Sequence, residues 1–139
     1  GARTPMPWRS GVTHAGFSSG EPWLPVDPAH DPLAVDRQET DKTSTLNFTR
    51  ALFAWRKQHR ALMEGAIRFL DTDEPVLAFE RSVSDDRILC VFNLSAEPVQ
   101  ADLALTGSAK TLDGAGLEGE LDGVHLRLPG YGGVFAALE

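Results

Sequence analysis

One short stretch near the start of this chain brings together residue types suited to directed binding. In "RTPMPW", Arg3 is followed by Thr4, Pro5, Pro7 and Trp8. A guanidinium presents its donors as a rigid fork that can pair bidentately with a carboxylate or meet hydroxyls. Prolines fix φ, so a loop built this way can hold that fork in place. Arg3 is therefore the candidate binding residue. Taken alone, it also fits a solvated loop arginine or a local ion pair.

The other chemically capable residues have plainer readings. His14, His30, His59 and His125 are scattered and lack metal-ligand spacing, so they read as surface or loop histidines and no metal site is expected. "DTDE" and "SDD" pair carboxylates, but both fall between strand-like runs, where solvated turns explain them better than acid–base or calcium chemistry. "GYGG" has no following helix and cannot cradle a phosphate as a P-loop does. The serines of "GFSSG" lack the strand-then-helix setting of a nucleophile elbow. Cys90, the single cysteine, lies in the apolar run "RILCVFNL" and reads as a buried strand thiol. No catalytic residue and no cofactor is assigned from the sequence.

Composition narrows the classes further. The 139 residues allow one domain, or a small domain with an appendage, and 42% are apolar. A net charge of −7 argues against general nucleic-acid affinity, and no apolar run is long enough for a membrane span. The chain starts without Met and shows no signal-peptide pattern, so it is expected to be processed or a piece of something longer. One cysteine without a partner points weakly to the cytoplasm. Charge is uneven: residues 1–64 hold eight Lys/Arg and seven Asp/Glu, whereas 65–139 hold five and thirteen. Such a step predicts two units with a boundary near Gly65.

The elements that must position these residues follow the same division. Residues 1 to 42 hold most of the prolines and no sustained periodicity, and read as loop. "TSTLNFTRALFAWRKQHRALMEG" reads as one helix, with Thr43, Ser44 and Thr45 as N-cap candidates. Phe48, Leu52 and Trp55 share a face that Ala51 and Leu62 extend. Arg56, Lys57, His59 and Arg60 sit near its C-terminal end, where cations complement the helix dipole, and Gly65 is expected to stop it in a left-handed conformation. From Ala66 the period becomes that of strands. "AIRFLD", "PVLAFERS", "DRILCVFNLS", "PVQADLAL", "VHLRLPG" and "GGVFAALE" are separated by the turns "DTDEP", "SDD", "SAEP", "DGAG" and "LDG". A loop, one helix and then only strands predicts the end of one domain followed by a complete antiparallel module. Large apolar residues such as Phe48 and Phe53 cannot be buried by one helix alone, so residues 1–64 are expected to pack against material outside this chain.

In combination, "ARTPMPW", "HAGFS", "EPWLPV" and the helix "LNFTRALFAWRKQHRALMEG" resemble the C-terminal part of α-glucosidases of glycoside hydrolase family 13, of the oligo-1,6-glucosidase type. The resemblance runs through the whole chain in order. It implies that 1–64 are the loop after strand 8 and helix 8 of a (β/α)8 barrel, and that 65–139 form domain C, an antiparallel β-sandwich. It places the opening loop on the catalytic face of the barrel and the helix's apolar stripe against the barrel strands.

The chemistry implied is retaining, exo-acting hydrolysis of α-glucosidic bonds in short oligosaccharides or disaccharides, with an aspartate nucleophile and a glutamate acid/base. Those carboxylates would lie upstream of Gly1, so the isolated chain is expected to be inactive and to have the rest of the barrel as its partner. Arg3 matches the motif arginine, which in relatives pairs with an aspartate from an early barrel loop and helps bind the non-reducing-end glucose.

Pro7 stands where many members have Gln, Arg9 where they have Asp, and Ala29–His30 near a frequent Asn-Tyr pair. These differences bear on linkage and acceptor preference, since sucrose hydrolases and trehalose-processing enzymes share much of the motif. The alternative from another class is a non-catalytic carbohydrate-binding or partner β-sandwich. A binding face would need exposed aromatics, yet 66–139 hold no tryptophan and only Tyr131 as tyrosine.

Overall fold

The structure, a computed structural model, describes residues 3–114 and 116–139. Ala2 of the quoted "ARTPMPW" and Ala115 of the "DGAG" turn lie outside the described residues. The chain forms two compact units, one ending at Ala51 and one running from Leu52 to Glu139.

The first unit is not plain loop, as its composition predicts. It contains two 3-10 turns, Thr13–Gly16 and Pro28–Leu33, and a short helix α1 (Val35–Thr40). Side chains close to the backbone make these elements: Asp27 accepts from the Ala29 amide at 2.9 Å and caps the second turn. Such local side-chain bonds satisfy amides that no longer helix or sheet covers.

Helix α2 (Thr45–Arg56) follows, and the hydroxyl cap expected among Thr43, Ser44 and Thr45 is Ser44, whose Oγ accepts from the Asn47 amide at 3.3 Å. Asn47 holds this start from the other side, donating its side-chain amide to the carbonyls of Gln38 and Asp41 at 2.9 and 2.8 Å.

The single helix expected to Glu64 is two. After Arg56 the backbone tightens, with Gln58 and His59 amides bonding carbonyls three residues back, and α3 (Arg60–Glu64) starts anew. The cause is a long-range cap: Asp86 accepts from the Ala61 amide at 2.7 Å. Asp86 belongs to the "SDD" turn, so one of those carboxylates caps a helix rather than serving only as a solvated turn residue. Gly65 ends α3 in extended backbone, at φ −66 and ψ 151, not left-handed. Glycine is needed there because an added Cβ would sit 2.4 Å from the Ala61 carbonyl oxygen and 2.9 Å from that of Ser82.

Strands β1 (Ala66–Phe69), β2 (Val76–Val83), β3 (Asp86–Asn93), β4 (Val99–Asp102), β5 (Ala109–Thr111), β6 (Glu120–Asp122), β7 (His125–Leu128) and β8 (Gly133–Leu138) are all paired antiparallel. They form a sheet of order β1-β2-β3-β8-β5 and a second of order β4-β7-β6. All six strand-like runs of the sequence are strands; β5 and β6 are additional.

Alternation sorts β3 between two cores. Leu89 and Val91 pack with Ala78, Val134, Leu126 and Leu128 between the sheets. Ile88 and Cys90 face the other way, onto Phe135, Ala61 and Leu62, with Leu52 and Trp55 packed alongside. Leu52, Trp55 and Leu62 of the expected apolar stripe thus lie against strands of this second unit. Trp55 stands 4.6 Å from Phe135 between ring centroids, and Phe135 meets Phe92 edge-on at 5.7 Å. These tilted and edge-on geometries are the ones aromatic quadrupoles favour.

Candidate functional site

The segment that carries Arg3 is built around prolines and then tied down residue by residue. Pro5 is buried, whereas Arg3 is exposed and makes no ion pair with any described residue. Immediately after, the backbone of Pro7–Gly11 is fixed from two sides. The Pro7 and Trp8 carbonyls accept from the Val35 and Asp36 amides at the start of α1, at 2.9 and 3.2 Å. The Asp36 carboxylate accepts from the Ser10 amide through both oxygens at 3.1 Å, and Asp31 accepts from the Gly11 amide at 2.6 Å. On the other side, the Ala15 carbonyl accepts from both the Trp8 and Arg9 amides at 2.9 Å.

The roles of Asp36, Asp31 and Ala15 are not visible in the sequence, because each acts on backbone amides 6 to 26 residues distant along the chain. The only hint was local: an aspartate directly before or inside a short helix is a natural amide acceptor.

While the backbone is fixed, its rings face outward. Trp8 and Phe17 are half-exposed and Trp23 is 85% exposed. A wall of packed aromatics is therefore not completed by the described residues. Arrangements of this sort hold exposed groups at fixed positions, which lowers the ordering cost of binding.

His14 lies 3.8 Å from Glu21, His59 meets Trp55 in a tilted ring contact at 4.4 Å, and His125 meets Asp102 at 2.6 Å across β7 and β4. Among the described residues no three His, Cys, Asp or Glu side chains converge as a metal site would require, and no helix is long and apolar enough to cross a membrane. Cys90 is buried, and desolvation pushes its thiol up to about 12, which leaves it unreactive near neutrality. It lies at the base of a groove of about 170 Å³ lined by Leu52, Phe53, Trp55, Phe79 and Phe135. Among the described residues Glu80 is a buried carboxylate, held below the usual range by hydrogen bonds from Arg87 at 2.8 Å and Arg68 at 2.6 Å. Its place among three strands makes it structural. Tyr131 is 70% exposed, but it stands without a second aromatic partner among the ring contacts of the described residues.

Comparison with known proteins accounts for nearly the whole chain. The family model for the alpha amylase catalytic domain matches residues 1–65, and that for the maltogenic amylase C-terminal domain matches 67–134. A probable alpha-glucosidase of Rhizobium meliloti is 39% identical over 138 residues, which are 99% of this chain and 25% of that protein. A probable oligo-1,6-glucosidase 2 of Bacillus subtilis is 41% identical over 97 residues, covering 69% of this chain and 17% of its own length. The crystal structure of the alpha-glucosyl transfer enzyme XgtA superposes with a TM-score of 0.91 at 45% identity, over 100% of this chain and 26% of that one. The chain thus spans about a quarter of the length of such relatives. A loop tied to short helices, followed by an antiparallel sandwich and matched in order by both family models, belongs to glycoside hydrolase family 13, as the end of its catalytic domain joined to its C-terminal domain.

Proposed function

We propose that this chain is the C-terminal portion of an exo-acting, retaining α-glucosidase, with residues 1–64 closing the catalytic (β/α)8 barrel and 65–139 forming domain C. Its partner is the rest of the barrel, which supplies the aspartate nucleophile and the glutamate acid/base. Its substrates are short α-glucosides. Nucleic acid is disfavoured by the net charge of −7, and the single buried thiol fits a reducing, cytoplasmic setting.

The observation that carries the reading is the exposed Arg3, shortly before a run, Trp8–Gly11, in which each amide is hydrogen-bonded. A guanidinium presented from so fixed a base can pair with a carboxylate and with sugar hydroxyls directionally. The names of relatives at 39% and 41% identity, a probable alpha-glucosidase and a probable oligo-1,6-glucosidase, support it.

In the full-length protein, Arg3→Ala is expected to lower kcat/KM on p-nitrophenyl α-glucoside by about a hundredfold, the scale of losing one partner of a charge-assisted pair. Arg3→Lys should restore little, because an ammonium lacks the bidentate fork. The 139-residue chain alone should not turn the substrate over. Wild-type rates in Arg3→Ala, or turnover by the chain alone, would refute the proposal.

A second reading is glucosyl transfer in place of net hydrolysis, favoured by the 45% identity to an alpha-glucosyl transfer enzyme. Product analysis at high substrate concentration separates the two: free glucose marks hydrolysis, and new glucosides mark transfer.

A further inference from the structure

Thr13–Gly16 contains an uncommon run of backbone. His14 and Ala15 have φ of 53 and 51, and Gly16 has φ of 67, so three successive residues are left-handed. Two of them carry a Cβ, for which this region is strained. Strain of this kind persists only when surrounding contacts over-determine it. Those contacts are on both sides of the turn. The Ala15 carbonyl, aimed by the turn, accepts from the Trp8 and Arg9 amides, and the Ala15 and Phe17 amides close the turn onto Val12 and His14.

Gly16 adds a second constraint. A Cβ built there would lie 3.2, 3.3 and 3.5 Å from Cβ, Cγ and Cδ of Arg9, so the aliphatic stem of Arg9 lies directly over the glycine. Arg9 is thereby held at its amide, its stem is bounded on one side by Gly16, and the residue as a whole is exposed.

We infer that the left-handed turn His14–Gly16 is a positioning device for Arg9, and that Arg9, seated on Gly16, is a specificity-determining side chain of this loop toward the hydroxyls of the sugar substrate. This rests on the reading that the loop faces a sugar. The turn supplies a carbonyl that ordinary right-handed backbone would aim elsewhere, and at Gly16 any added Cβ would crowd the stem and push it off by a few tenths of an ångström. Trp8 shares the clasp through its amide, and the Arg9 side chain in addition lies against Gly16 of the turn.

The test uses the full-length protein with Arg9→Ala, Gly16→Ala and the double variant. Each single change is expected to raise KM for a disaccharide about tenfold with kcat within about twofold, the size of coupling seen between contacting residues. The double variant should be no worse than either single one. Hydrogen exchange should show loss of protection at the Trp8 and Arg9 amides in Gly16→Ala and not in Arg9→Ala. Multiplying effects in the double variant, an unchanged KM in Arg9→Ala, or retained protection in Gly16→Ala would overturn the inference.

If Gly16→Ala does not fold, Arg9→Lys decides: recovery of a KM raised in Arg9→Ala supports the role of the seated cation, and a wild-type KM in Arg9→Ala ends it. Absence of α-glucoside turnover by the wild-type protein would instead remove the proposed function. Amide exchange would still judge the clasp.

Discussion

The two units of this chain are held together by different physics. In the unit that begins at Leu52, a sandwich core buries Leu89, Val91, Leu126, Leu128 and Val134 almost completely, and a second cluster fills the opposite face of the larger sheet. In the unit that ends at Ala51, the buried apolar residues among those described are Pro5, Ala15 and Ala34, all small, and the large rings of Trp8, Phe17 and Trp23 are exposed. Order there comes from carboxylates and carbonyls on backbone amides. Each such bond contributes only about 1 kcal/mol net. The first unit is thus shaped by local bonds and built to expose side chains; the second is stabilised by burial.

The largest effect should come from breaking the sandwich core. Leu89→Ala removes a fully buried side chain from the central strand β3 and is expected to cost about 2–5 kcal/mol, read as a lower denaturation midpoint for the C-terminal unit. A loss well under 1 kcal/mol would mean that burial is not what holds this unit.

A smaller effect is expected at Glu80, whose carboxylate joins β1, β2 and β3 through Arg68 and Arg87. Both arginines keep contact with water, so Glu80→Gln should cost about 1–3 kcal/mol, the range for hydrogen bonds to a charged group. The sign follows from the lowered folded-state pKa. The contribution is fully present above the unfolded glutamate value of about 4.3 and is lost as pH falls below it through the folded value. Wild type should therefore lose stability on acidification more steeply than Glu80→Gln; parallel acid profiles would contradict this.

The smallest global effect, and the sharpest local one, belongs to the first unit. Asp36→Ala removes the acceptor of the Ser10 amide and should cost about 0.5–2 kcal/mol, as loss of a cap does. Exchange should quicken at Ser10 and Arg37, whose amide also bonds Asp36, while β3 amides stay protected. Equal quickening in both regions would mean that the two units open as one.

Legibility in the sequence followed the same contrast. The six longer strands were readable because "DRILCVFN" and its companions carry β-branched and aromatic residues between turn signals. The strands β5 and β6, "AKT" and "ELD", were not, since three residues are too few to show a period and become strands only by pairing with β8 and β7. The helix break after Arg56 was hidden for a similar reason: its cap, Asp86, is 25 residues away in sequence. Gly65 was identified as a stop, but through the wrong mechanism, because close approach to Ser82 is not encoded locally.

At the candidate site, Arg3 and its motif were legible as residue types in a specific order. The acceptors that pin the following residues were not. By itself the sequence determined the family, the order of a proline-rich segment, a helical stretch and antiparallel strands, and the burial of Cys90, since periodicity and turn chemistry are local properties of a chain. Only the tertiary structure decided where α2 ends, which carboxylate caps α3, that His14–Gly16 turns left-handed, and that Arg9 lies on Gly16. Each of those depends on groups distant in sequence meeting at hydrogen-bonding or van der Waals range, where a few tenths of an ångström set the sign of the energy.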